Sequence, residues 1–167
     1  MVFENSDIVG GIWSGDHSLW KSDPKGIVNR LGWLGLPVWM QNEIPKAESF
    51  AAEIAAEGFQ YVVLLGVGGS ALGAMVIGES LGRRSGYPDL IVVDSAIPSK
   101  IRSVLNQIDL RKTLFVVSSK SGRTVEPNLL YRYFKACLEK LVDSSELGAH
   151  FVAITDRGSP LEDLASK

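Results

Sequence analysis

Two short loops hold most of the residues in this chain that could do chemistry on an anion. The first, Gly66-Val67-Gly68-Gly69-Ser70, joins an apolar run to a helix-forming one. Its glycines let the backbone approach a ligand closely, unpaired N–H groups and the helix dipole meet negative charge there, and the Ser70 hydroxyl can add a hydrogen bond. The second, Ser118-Ser119-Lys120-Ser121-Gly122-Arg123-Thr124, packs four hydroxyls and two cations into seven residues. That composition suits charge-assisted hydrogen bonding to a phosphate better than it suits a plain turn. The competing reading of the second loop is a solvated, serine-rich turn with capping hydroxyls. Two of them, after two strands of one sheet, can converge on a single phosphate.

The first loop also satisfies the alanine-ended dinucleotide fingerprint, as Gly66-x-Gly68-x-x-Ala71, with Asp94 offered as the ribose carboxylate. Asp94 follows Gly66 by 28 residues, where about 20 is usual, and a dinucleotide site has no need of the second loop. A P-loop is excluded, because no Gly-Lys-Ser/Thr closes the glycine run.

The elements that must position these loops are legible. Residues 60–65 (QYVVLL), 90–94 (LIVVD), 113–118 (TLFVVS) and 151–155 (FVAIT) are apolar on both faces, as strands at the centre of a parallel sheet are. Helices are predicted over 46–57, 70–81, 98–108 and 125–142, the last around a stripe of Leu129, Leu130, Tyr133, Phe134, Cys137, Leu138 and Leu141. A final helix is signalled by Ser159 as cap, Pro160 at the first position and Glu162 as capping-box partner. Strand–helix alternation of this kind predicts an α/β three-layer sandwich with a mostly parallel, flavodoxin-like sheet and right-handed crossovers. Ligands of such sheets bind at the carboxyl ends of the strands, near the point where strand order reverses.

Residues 1–45 read differently. Trp13, Trp20, Trp33 and Trp39 all fall there, prolines at 24, 37 and 45 interrupt it, and six glycines dilute any helix. The expectation is an irregular arm with one short helix over 25–31, its aromatic rings packed on the domain of residues 46–167. The chain stops within about two turns of its last helix, and doubly wound domains usually carry five or six strands. The domain is therefore expected to be incomplete at its C-terminus.

Composition narrows the function. The 167 residues carry a formal net charge of −2, one cysteine and two histidines, His17 and His150. No large basic face is available for nucleic acid, and no internal disulfide or multi-cysteine metal site can form. No stretch approaches the length of a membrane span, and the opening MVFENSDIVG lacks the basic-then-apolar pattern of a secretory signal. The expected setting is cytoplasmic, without nucleic-acid or membrane partners. His17 and His150 belong to no catalytic motif and read as a loop contact and a surface residue before a strand.

GVGGSALG and VSSKSGRTVEP resemble the first sugar-isomerase (SIS) domain of the phosphoglucose isomerase family, and TDRGSPLEDLA is similar to the segment after its next strand. DHSLWKSDP and NRLGWL in the arm more specifically resemble the isomerase part of bacterial bifunctional transaldolase/phosphoglucose isomerase proteins. The resemblance implies glucose 6-phosphate and fructose 6-phosphate as substrates, no metal or cofactor, and a homodimer in the full-length protein, with a fused transaldolase domain as a further possibility. It also implies residue roles. Gly68 and Gly69 shape the sugar-phosphate loop, Ser70 is its serine ligand, and Ser119, Lys120, Ser121 and Thr124 match the phosphate-binding serine, lysine, threonine and threonine. Gly122 and Arg123 depart from the commoner bulky-then-hydroxyl pair, so Arg123 adds a cation, and Glu126 matches a glutamate that supports loop and substrate hydroxyls. The family's base, ring-opening histidine and lysine, and glycine-glycine-arginine motif match nothing here. No catalytic residue is assigned, and the chain alone is expected to be inactive. The rival readings are a non-catalytic sugar-phosphate sensing module and a dinucleotide-binding Rossmann domain.

Overall fold

Four apolar runs form one all-parallel sheet: β1 (Tyr61–Leu65), β2 (Asp89–Val93), β3 (Thr113–Ser118) and β4 (Phe151–Ile154), in the order β2-β1-β3-β4. The computed structural model describes residues 7–166. Strand β3 is buried along its whole length and pairs Leu65 with Val117, so the carboxyl ends of β1 and β3 lie side by side. Strand order reverses at β1, because the chain first moves outward to β2 and then crosses back to β3.

Pleating sends alternate residues to opposite faces, and each face has its own cover. Val63, Leu65, Val93, Phe115 and Val117 pack with Val104 of α4 (Pro98–Gln107), Leu130 and Phe134 of α5 (Val125–Leu138) and Leu161 of α6 (Pro160–Ala165). Leu64, Leu114 and Val116 pack on the other face with Ala71 of α3 (Gly69–Leu81) and Ile54 of α2 (Leu36–Ala56). That division is the one that right-handed crossovers require for this strand order. The Phe115 and Phe134 rings stack at 4.8 Å with no exposed surface, and burial of each contributes about 1.5–3 kcal/mol.

The sequence predicts all four strands to within about a residue, and the helices after them closely. α5 is shorter than expected: it ends at Leu138, after which Leu141 and Val142 donate back to the Leu138 carbonyl in a tightened turn. Leu129, Tyr133 and Leu141 of the predicted stripe are exposed, whereas Leu130, Phe134 and Leu138 are buried.

The largest departure is in the first residues. Contacts divide the chain into two units, Met1–Phe50 and Ala51–Lys167. Within the first unit, α1 (Ile8–Trp13) is capped by Asp7, whose carboxylate accepts from the Gly10 N–H. The expected helix over 25–31 is only a 3₁₀ turn, Val28–Arg30. α2 begins at Leu36 rather than 46 and runs through Pro45. Pro37 in its first turn is tolerated because that N–H has no intrahelical partner anyway, and the Lys46–Glu43 ion pair at 2.9 Å spans Pro45. The four tryptophan rings are exposed rather than packed in a core, Trp13 lying against Trp33 with ring centres 6.5 Å apart.

Candidate functional site

The loop after β1 turns at Gly68, whose φ of +61° only glycine adopts readily, and delivers Gly69 and Ser70 as the first residues of α3. Gly66 is held against β3. A Cβ there would sit 3.0 Å from the Ser70 carbonyl oxygen and 3.3 Å from that of Ser118. Among the described residues, the N–H groups of Gly69 and Ser70 have no acceptor, and neither do those of Lys120 and Ser121 in the neighbouring loop. The structure thus brings both loops to adjacent strand ends with unpaired donors on each.

The loop after β3 is internally braced. Ser119 is almost fully buried, and its hydroxyl donates to Thr124 Oγ1 at 3.1 Å. The contact leaves the Thr124 proton available to a ligand. Ser121 Oγ accepts from the Arg123 N–H at 3.3 Å, which likewise leaves the Ser121 proton unspent. Gly122 turns the chain with φ +64°. Asn128 Nδ2 donates to the carbonyls of Gly122 at 3.2 Å and Thr124 at 2.7 Å, tying the loop to the first turn of α5.

Lys120 and Arg123 are exposed, and neither makes an ion pair among the described residues. Glu126 is exposed in the first turn of α5. A third loop, after β4, completes the frame. The Ser119 N–H donates to the Ile154 carbonyl at 3.0 Å, and the Asp156 N–H to the Lys120 carbonyl at 2.9 Å. Asn128 and Thr155 were not anticipated as site residues. The usable signal for Asn128 is its place four residues after Thr124, where a side chain on a helix's first turn reaches back to the preceding loop.

Asp94 is not arranged as a ribose ligand. Lys100 Nζ lies 2.5 Å from its Oδ1, and that hydrogen bond holds the Asp94 carboxyl below its ordinary 3.8. His150 is buried rather than on the surface. Its Nδ1 lies 2.9 Å from the Thr113 carbonyl oxygen and its ring meets Phe59 edge-on. His17 makes the expected loop contact, with Nδ1 3.3 Å from the Lys21 carbonyl oxygen. A groove of about 400 Å³ between α5, β4 and α6, lined by residues such as Tyr131, Phe151 and Leu164, contains none of the loop residues.

The sequence model of the family described as phosphoglucose isomerase matches residues 47–165. The chain belongs to the phosphoglucose isomerase family. Among curated relatives, a glucose-6-phosphate isomerase of Chlamydia trachomatis serovar A is 35% identical over 111 residues, covering 66% of this chain and 21% of the relative. One from Carboxydothermus hydrogenoformans is 37% identical over 105 residues, covering 58% of this chain and 22% of the relative. The crystal structure of a glucose-6-phosphate isomerase from Chlamydia trachomatis superposes with a TM-score of 0.62 at 33% identity, covering 75% of this chain and 24% of that one. A hypothetical protein from Thermus thermophilus superposes over 95% of this chain and 36% of its own, with a TM-score of 0.70 at 28% identity. The chain spans about a fifth of the length of the curated phosphoglucose isomerase relatives that it matches. The family match takes in both glycine-rich and serine-rich loops and the loop after β4.

Proposed function

We propose that this chain is the sugar-phosphate-binding part of a glucose-6-phosphate isomerase, which interconverts glucose 6-phosphate and fructose 6-phosphate. The observation that carries this reading is the adjacency of two donor-rich loops at the strand-order reversal of a phosphoglucose isomerase chain. In it, Gly68 and Gly69 shape the first loop, and Ser70 joins the Gly69 and Ser70 N–H groups in meeting phosphate oxygens. Lys120, Ser121 and Thr124 supply a cation and two hydroxyl protons, and Ser119 acts by orienting Thr124. Arg123 adds a second cation, and Glu126 meets sugar hydroxyls. The site uses no metal or cofactor.

Isomerisation also needs a positioned acid and base. His150 contacts Thr113 at the start of β3, about 16 Å along the strand from the loop that follows Ser118. It is too far to act on a sugar held there, and the chain by itself is expected to bind sugar phosphate weakly at best and not to turn it over. Residues 46–167 form the sugar-isomerase domain and 1–45 an arm leading into it. Membership of the family supports a homodimer as the whole enzyme. The sequence of 1–45, without a secretory pattern, supports a cytoplasmic setting, and the resemblance of the arm supports a transaldolase domain as a possible fusion partner.

Titration of the ¹⁵N-labelled chain with 6-phosphogluconate tests the reading. The amides of 66–71 and 119–126 should shift together and saturate, and NAD⁺ should leave them unmoved. Shifts confined to the Asp94 region, or none in either loop, would sink it.

A further inference from the structure

The segment Thr155-Asp156-Arg157-Gly158-Ser159 leaves β4 and, in the reading above, does no more than start α6. Its hydrogen bonds nevertheless run in one direction. The Glu162 N–H donates to Ser159 Oγ at 3.1 Å, the Ser159 and Thr155 hydroxyl oxygens are 2.7 Å apart, and Thr155 Oγ1 donates to the Lys120 carbonyl at 3.3 Å. Each hydroxyl carries a single proton. With the Thr155 proton on the Lys120 carbonyl, we assign Ser159 as the donor to Thr155 in the short contact, in which either oxygen can donate. The relay begins on the backbone of α6 and ends on the backbone of the serine-rich loop.

The Lys120 carbonyl also accepts from the Asp156 N–H at 2.9 Å. Two donors occupy both of its lone pairs and fix the plane of the Lys120–Ser121 peptide. In a trans peptide the N–H points opposite to the C=O. The Ser121 N–H is therefore aimed away from the loop after β4, and it has no acceptor among the described residues. Hydrogen bonds accepted by a peptide carbonyl polarise the group and strengthen donation from its N–H. Ser159 is itself buried, and its Cβ and Oγ stand against Gly122 so closely that a side chain there would overlap them.

We infer that Thr155 and Ser159 are positioning residues for anion binding, holding the Lys120–Ser121 peptide so that the Ser121 N–H and the Lys120 side chain face a phosphate. The inference rests on the proposed sugar-phosphate site and assigns the loop after β4 a part in it.

Thr155→Val keeps the shape and removes the proton; Thr155→Ser keeps the proton. Affinities of the parent chain, both variants, Thr155→Ala and Lys120→Ala for 6-phosphogluconate and inorganic phosphate are measured by titration, alongside thermal unfolding. Thr155→Val and Thr155→Ala should bind both ligands about three- to tenfold more weakly, while Thr155→Ser stays within about twofold of the parent. The valine and alanine variants guard each other against a folding failure. Parent-like affinity in either of them, with Lys120→Ala weakened, overturns this inference and leaves the site reading intact. A loss that serine does not rescue also overturns it, since packing would then be the cause. Unchanged affinity in Lys120→Ala, or no binding by the parent, overturns the site reading and this inference with it.

Discussion

Replacing Gly122 by alanine probes the junction between the serine-rich loop and α6 with a single methyl group. Two costs arise. Gly122 has φ +64°, a conformation that costs a residue with a Cβ about 1–2 kcal/mol. The new Cβ would also lie 2.9 Å from each of Leu161 N, Ser159 Cβ and Ser159 Oγ. Leu161 N is backbone and Ser159 is buried at the helix cap, so neither can swing aside, and overpacking of this kind costs about 1–3 kcal/mol. The expected total is about 2–5 kcal/mol, a large part of the 5–15 kcal/mol typical of a domain. Gly58, just past the end of α2, separates the two costs. It has φ +87° with nothing within 4 Å of its Cβ position, so Gly58→Ala bears the backbone cost alone. Equilibrium urea unfolding followed by circular dichroism reads both. At about 1–3 kcal/mol per molar urea, Gly122→Ala should lower the midpoint by roughly twice as much as Gly58→Ala, or more. Equal shifts would show that Ser159 and Leu161 do not crowd Gly122. A Gly122→Ala midpoint within error of the parent would refute the backbone reasoning as well.

Lys120→Glu should weaken 6-phosphogluconate binding by at least tenfold, from loss of a charge-assisted hydrogen bond worth about 1.5–3 kcal/mol, while leaving the urea midpoint unchanged because Lys120 is exposed; titration calorimetry and unfolding check the two halves. Asp94 is held below its ordinary 3.8 by the hydrogen bond from Lys100, so its contribution to stability is present above that value and lost as pH falls through its lower folded value. Urea midpoints measured on acidification should therefore fall further in the parent than in Lys100→Met, and parallel curves would remove the pair from the account. Phe134→Ala should cost about 3–5 kcal/mol by unfolding, because the ring is fully buried against Phe115.

How far the fold can be read from the sequence follows from where the physical signal is local. The strands are legible because a parallel strand covered on both faces is a run of apolar residues, and TLFVVS is buried at every position. α6 is legible because Ser159, Pro160 and Glu162 are caps that act within one turn; only the carboxylate's target differs, Glu162 Oε2 accepting from Gly158 rather than Ser159. α2 escapes such a reading because proline ordinarily marks a boundary. Pro45 has no N–H to donate, but the helix on either side of it continues, which no local rule about Pro45 reveals. His150 escapes it for a related reason. It precedes a strand in sequence, yet its burial is set by the Thr113 carbonyl and the Phe59 ring, 37 and 91 residues away.

The candidate site divides along the same line. Residue types and spacing point to the two loops, because glycines before a helix and clustered hydroxyls with cations carry their chemistry in the local sequence. What each hydroxyl does is not local. Ser119 and Thr124 are both phosphate donors by type, but Ser119 is buried and donates to Thr124, which is the less buried of the two and keeps its own proton. The strand order has the larger effect. β1 and β3 become neighbours only because the chain returns from β2 across β1, and β4 then lies beside β3, with the loop after it against the Lys120 carbonyl. Two donor-rich loops thus meet at one point while the third, which reads as a mere helix start, is placed where it can hold the second in shape. In the proposed phosphate site the order of Lys120 and Ser121 then depends on the β4–α6 segment beside them, with Thr155 and Ser159 holding the Lys120 carbonyl as their own loop holds Ser119 and Thr124.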